Sequence, residues 1–209
     1  MRIEIVGGIA SGKSTLTSVI AKTGVLAIFE DFSTNPFFEK FYGQPKQYAF
    51  ETEITFMLQH YSQLNDALTS SSRAVAADFS LALDIAYARV TLDLDDRRVF
   101  EAVFDRVLEK IQTPQLLVKL ECSPFVELQR IRARARPAES AIEISYLAAL
   151  NDAVNDVLLD RRFKDLKVLR IDSEKRDFRP GGDDEIDVVS EVLSGFLDSS
   201  GENGLARHG

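Results

Sequence analysis

Cysteine is almost missing from the 209 residues: Cys122 is the sole example. A lone thiol closes no internal disulfide, so nothing in the chain points to an oxidising compartment. Cys122 follows the apolar run Leu116-Leu117-Val118-Lys119-Leu120 and reads as a buried strand-end thiol. Long apolar stretches are missing as well. None approaches the ~18 residues that read as a membrane span. The opening Met1-Arg2-Ile3-Glu4-Ile5-Val6 is too short and too charged for a signal peptide, and the expected location is the cytoplasm. Positive charge is in deficit, with 25 Lys and Arg against 33 Asp and Glu and a formal net charge of −8. Such a surface repels polymer phosphates and anionic lipid, so neither a nucleic acid nor a membrane is an expected partner. A small anionic ligand stays open, because local donors can outweigh the global charge.

What is present is a foldable α/β pattern. Apolar residues make up 45% of the chain, enough for a real core in a single compact domain. Five short runs read as strands covered on both faces: Ile3 to Val6, Val25 to Phe29, Ala74 to Ala77, Leu116 to Leu120 and Val168 to Ile171. Between them, apolar residues recur at three-and-four spacing. Phe50, Ile54, Met57, Leu58, Tyr61, Leu64 and Leu68 mark a helix over Tyr48 to Leu68. Val99, Phe100, Val103, Phe104, Val107, Leu108 and Ile111 mark another, with Asp95 and Asp96 favouring its start. Further helices are expected from Ile142 to Leu158 and from about Glu185 to Leu197. Strands alternating with helices predict a mainly parallel five-stranded sheet with helices on both faces. Residues 1–197 read as one domain and 198–209 as a small, polar, disordered tail.

Gly7-Gly8-Ile9-Ala10-Ser11-Gly12-Lys13-Ser14 meets the pattern G-x-x-x-x-G-K-[ST] in full. It follows a strand and leads into a helix, the context that a phosphate-binding P-loop requires. The glycines let backbone N–H groups turn inward around phosphates, and the helix N-terminus adds favourable partial charge. Lys13 is placed for the β- and γ-phosphates and Ser14 for Mg²⁺, with Thr15 next in line. The loop therefore predicts ATP as phosphate donor.

The acceptor must be read elsewhere. Glu30 and Asp31 end the second strand, where ligands sit in open α/β sheets, and a carboxylate there can take a proton from an attacking hydroxyl. Asp78 ends the third strand, the usual place of an Mg²⁺-organising acid. Arg130-Ile131-Arg132-Ala133-Arg134-Ala135-Arg136 sets four arginines at alternate positions before Pro137. That period does not suit one solvated helix face and predicts a mobile arginine-rich lid over about 130–140.

Several segments resemble the deoxynucleoside kinases, including bacterial deoxyadenosine and deoxyguanosine kinases, from Met1 to about Phe178. Asn35-Pro36-Phe37-Phe38-Glu39-Lys40-Phe41-Tyr42 is similar to the family's N-P-F/L-L-x-x-F/M-Y stretch. Tyr48-Ala49-Phe50-Glu51-Thr52-Glu53 resembles the start of its substrate-facing helix. Arg130-Ile131 with Arg134-Ala135-Arg136, Glu139 and Ile142 resembles its lid motif, and Tyr146-Leu147 follows as expected. The resemblance implies a P-loop kinase fold and transfer from ATP to the 5′-hydroxyl of a deoxyribonucleoside. It makes Glu30 the base, Tyr42 and Glu139 the holders of the 3′-hydroxyl, and Glu53 the base-pairing residue. Arg134 and Arg136 become lid arginines, Asp78 an organiser of Mg²⁺, and a homodimer the expected assembly.

The sequence departs from that pattern at four places. Phe79 stands where the family usually has the arginine of D/E-R-S. Glu53 replaces a glutamine, and a carboxylate donates no hydrogen bond unless protonated. Asp31 replaces the proline of Glu-Pro and rivals Glu30 as base. Ala135 replaces a lid glycine, a mild change unless that position needs positive φ. Two other readings stay open: a nucleoside-monophosphate or other small-molecule P-loop kinase, and a non-catalytic nucleotide-binding regulator.

Overall fold

The computed structural model describes residues 1–70 and 73–205, with side chains through residue 198. Among these, five strands form one parallel sheet in the order β2-β3-β1-β4-β5. They are β1 (Arg2–Val6), β2 (Leu26–Ile28), β3 (Val75–Ala77), β4 (Leu116–Glu121) and β5 (Val168–Asp172), each within two residues of the sequence-based expectation. β1 is central, with Ile3 opposite Ala76 on one side and Leu116 on the other.

The helices are α1 (Lys13–Ala21), α2 (Phe38–Gly43), α3 (Pro45–Ser70), α4 (Leu81–Thr91), α5 (Leu94–Ile111), α6 (Pro124–Arg134), α7 (Ile144–Leu158) and α8 (Glu185–Leu205). Ile3 and Ile5 of β1 pack with Leu16 and Ile20 of α1 and Val188 and Val192 of α8. The opposite face carries the larger core, where Val6 and Ala77 meet Met57 of α3, Ile85 of α4, Phe104 of α5 and Val154 of α7. Parallel strands covered on both faces explain the nearly continuous apolar runs.

Two polar residues break that rule in β1. Arg2 and Glu4 are both buried and form an ion pair at 2.8 Å. Glu4 also accepts from the Leu81 amide at the start of α4 (3.1 Å), while Arg2 donates to the Ile111 and Gln112 carbonyls at the end of α5 (3.2 and 2.7 Å). The acid thus sits at a helix N-terminus and the base at a helix C-terminus, the arrangement the helix dipoles favour.

Three parts differ from expectation. α4 is apolar nearly all round and buried, so no amphipathic stripe announced it. The arginine segment is largely regular helix: Ser123 caps α6 and Pro124 opens it. On a helix, residues four apart share a face and residues two apart do not. Arg130 and Arg134 therefore point one way, and exposed Arg132 the other. Finally, α8 continues to Leu205, so positions 198–205 of the expected tail have helical backbone, and 206–209 lie outside the described residues. Among the described residues no helix is long and apolar enough to cross a membrane.

Candidate active site

A cavity of about 380 Å³ opens beyond the carboxyl ends of β1, β2 and β3. The P-loop forms one wall. Gly12, with φ of 109°, adopts the left-handed conformation that starts α1 without steric cost. Lys13 is buried, and its Nζ donates to the carbonyls of Gly7 (3.1 Å) and Gly8 (2.8 Å). Burial lowers its pKa, against the pull of Glu30, Asp78 and Glu127. Ile9, Ala10, Gly12, Ser14 and Thr15 face the cavity, while Gly7, Gly8 and Ser11 shape the turn behind it.

Two supports under this loop carry no signal in the P-loop motif itself. Arg130 of α6 donates to the carbonyls of Ala10 (3.3 Å), Ser11 (3.4 Å) and Ser173 (2.7 Å). It braces the loop and also lines the cavity. Glu127, one helical turn earlier, is fully buried against Gly8 and accepts from Asn151 (3.3 Å). Burial pushes its carboxyl up to about 8. A Cβ at position 8 would overlap Glu127 Oε1 and Asn151 Oδ1, so any side chain there would have to displace this buried pair.

Asp78 joins the P-loop to the end of β2. Its Oδ2 accepts from Ser14 Oγ at 2.5 Å, and its Oδ1 accepts from the Glu30 amide at 2.7 Å. Burial raises its pKa, and the Ser14 and Glu30 hydrogen bonds oppose that. Glu30 enters the cavity from the end of β2. Asp31 does not line it; its Oδ1 accepts from Ser33 N (3.0 Å) and Ser33 Oγ (2.6 Å), capping a short 3-10 turn over Phe32–Thr34.

The half of the cavity away from the P-loop is aromatic, with Phe32, Phe38, Tyr42, Phe56, Phe79 and Tyr87 on its walls. Burial, then Glu139, raises the pKa of the Tyr42 hydroxyl and keeps it a neutral donor. Glu53 is buried on α3 and accepts from Thr91 Oγ1 at 3.0 Å. Burial lifts its carboxyl to about 8, against the Thr91 hydrogen bond. In its protonated form this side chain carries a donor that a carboxylate lacks.

Glu139 is buried and bound by Arg134 through both oxygens, at 2.8 and 2.7 Å, with Arg136 at 3.5 Å. Arg136 also lies over the Phe32 ring at 5.1 Å. Residues expected to hold different ligands are therefore partners here. Between them Ala135 has φ of 51°. A left-handed alanine costs about 1 kcal/mol that glycine avoids. Ala135→Gly is expected to raise the urea midpoint by an amount equivalent to about 1 kcal/mol, with the slope unchanged.

His60 and Asp84 complete the site and were absent from the sequence expectation. His60 Nε2 lies 3.1 Å from Glu30 Oε1, and Nδ1 lies 2.8 Å from Asp84 Oδ1. His60 sits on α3 one and two turns beyond Phe56 and Glu53, on the same face. That spacing was the available signal.

A family model described as deoxynucleoside kinase matches residues 3–198, which is nearly the whole chain. The chain belongs to the deoxynucleoside kinase family. It is 29% identical over 182 residues to a deoxyguanosine kinase of Bacillus subtilis, covering 84% of this chain and 88% of that protein. A deoxyguanosine kinase of Lactobacillus acidophilus is 27% identical over 210 residues, covering 91% and 89% of the two chains. The fold matches that of a deoxyadenosine kinase from M. mycoides with bound dCTP, with a TM-score of 0.76, 24% identity and coverage of 95% of this chain and 100% of that one. This deoxynucleoside kinase is accordingly a phosphotransferase of nucleoside salvage.

Proposed function

We propose that this kinase moves the γ-phosphoryl group of ATP onto the 5′-hydroxyl of a deoxyribonucleoside, with Glu30 as the base. The observation that carries this reading is Asp78, which ties Ser14 of the P-loop to the backbone of Glu30 through its two oxygens. A phosphate bound by Gly7 to Thr15 then lies on the same wall as the carboxylate that must accept the proton. Phosphoryl transfer asks for placement and charge neutralisation more than for covalent chemistry.

Lys13 and the loop amides would hold the β- and γ-phosphates. Ser14 Oγ and Asp78 Oδ2 offer the hard oxygen ligands that suit Mg²⁺, which when bound spreads the charge of the phosphate oxygens. Arg134 and Arg136 would turn from Glu139 towards the transferring group, and the α6 end with the Pro137–Glu139 turn would act as the lid that excludes water. Tyr42 and Glu139 would hold the 3′-hydroxyl, the aromatic walls would sandwich the base, and Glu53 would meet its edge. The carboxylates of Glu30 and Asp84, two against the single charge that His60 can carry, disfavour an acceptor that already carries a phosphate. A homodimer through helices on one sheet face would cover exposed apolar residues such as Leu58 of α3 or Leu94 and Val99 of α5, and light scattering tests it directly.

The test is a panel of deoxynucleosides and nucleoside monophosphates incubated with ATP and Mg²⁺. Transfer to one or more nucleosides is expected; transfer to monophosphates alone, or nucleotide binding with no transfer, overturns the reading.

Glu53 adds a pH effect. Its folded pKa of about 8 lies above the ordinary 4.5, so its contribution to stability is full below 4.5 and is lost as pH rises through about 8. Over the same range its O–H donor disappears. The ratio of kcat/KM between purine and pyrimidine nucleosides is expected to change between pH 6.5 and 9 by about 10-fold, the scale of one hydrogen bond, and Glu53→Gln should flatten that change.

A further inference from the structure

The position next to Asp78 is occupied by Phe79, which has no charge and no hydrogen-bonding group to offer Glu30. Phe79 is buried, and its ring stacks on the His60 imidazole with centroids 4.1 Å apart and planes 9° apart. Phe56 stacks on His60 as well, at 5.9 Å. The imidazole is thus pinned between aromatic rings with both nitrogens at its edges. Each nitrogen meets a carboxylate: Asp84 of α4 at 2.8 Å and Glu30 beyond β2 at 3.1 Å.

A neutral imidazole has one N–H and cannot donate to both. Donation to both carboxyl groups calls for the imidazolium; burial raises the Asp84 pKa, and the charged ring opposes that. Glu53 on the same helix adds a further acid nearby. We propose that His60 is the positioning residue for Glu30: held by Asp84 and stacked on Phe79, it donates from Nε2 to Glu30 Oε1 and aims Oε2 at the acceptor hydroxyl. The proposal rests on Glu30 being the base. Phe79 then serves the reaction through His60, and the pair His60–Phe79 does together what a single cationic side chain beside the base would do. Burial opposes charge on the ring, but Asp84 and Glu30 outweigh it and lift its pKa from 6.5 to about 10. The sign follows: the clamp is full below pH 6.5 and is lost as pH rises through about 10.

Two measurements on the full-length protein test this. The chain holds two histidines, so loss of a resonance in His60→Gln assigns the His60 ring by NMR. In the wild type the ring is expected to be doubly protonated at pH 8. In Glu30→Gln its midpoint should fall by about 1–3 in pH, the effect of losing one adjacent opposite charge. A neutral ring at pH 8, or a midpoint unmoved by Glu30→Gln, overturns the clamp whatever the kinetics show.

The second measurement is kcat for the best nucleoside, with KM for ATP as a control. His60→Gln is expected to lower kcat by about 10–100-fold in the wild-type background, as small misplacements do, with KM for ATP unchanged. In Glu30→Gln the same substitution should have no further effect. Equal losses in both backgrounds would show that His60 acts independently of Glu30 and would overturn the proposal. Absence of turnover by the wild type, with the ring doubly protonated and responsive to Glu30→Gln, would overturn the reaction assigned to Glu30 and not the clamp.

Discussion

Glu30→Gln is expected to lower kcat by about 10²–10⁴-fold, the range for removing a positioned general base, while ATP binding is retained. The substitution keeps shape and removes the acceptor of the proton. Its effect should spare the phosphate site, because the Glu30 main chain, not its side chain, carries the bond to Asp78. The P-loop and the Ser14–Asp78 contact stay in place. Asp31→Asn supplies the contrast. Asp31 is spent on capping the turn after β2, and its carboxylate faces Ser33. Asparagine keeps an Oδ1 acceptor and caps about as well as aspartate, so stability is expected to change by less than about 0.5 kcal/mol and kcat to stay within a few-fold. If the two variants exchange these outcomes, Asp31 is the base and the cap has to open during turnover.

The contrast also marks what linear sequence reveals and what it hides. The P-loop was legible because its work is done by backbone geometry over consecutive positions, and a glycine, a lysine and a serine at fixed spacing suffice to specify it. The strands were legible because burial on both faces leaves short apolar runs. α4 was not, since a helix buried all round has no polar face to set a period, and even its single acid, Asp84, is buried. The clamp on Glu30 was hidden for another reason. Asp84 and Glu30 lie 24 and 30 residues from His60 in the chain, and only the packing of α3 across the ends of β2 and β3 brings them together. Ser123-Pro124, a good helix start, was on view ahead of the arginines. The alternate spacing of the arginines drew attention to a lid, while the helix that carries Arg130 and Arg134 on one face went unread.

Lys13→Met should divide stability from function. Nζ makes hydrogen bonds only to the Gly7 and Gly8 carbonyls among the described residues, inside a buried site. Its pKa is lowered by burial even with Glu30, Asp78 and Glu127 nearby, so the folded protein disfavours the charge it carries. Methionine fills similar space without that cost. The nucleotide-free variant is therefore expected to melt at or above the wild-type temperature. The sign with pH is fixed: the wild-type deficit is full below the depressed folded pKa and vanishes as pH rises towards 10.5. Nucleotide should reverse the order. At 100 times the dissociation constant, ATP stabilises the wild type by about 2.7 kcal/mol through mass action, and most of that should be missing from the variant. Turnover should fall by about 10²–10³-fold, the scale of one preorganised donor to developing charge. Thermal melts with and without ATP and Mg²⁺, beside a kcat measurement, read all three quantities. A variant that melts well below wild type without nucleotide would show that Lys13 holds the three carboxylates together rather than waiting for phosphate.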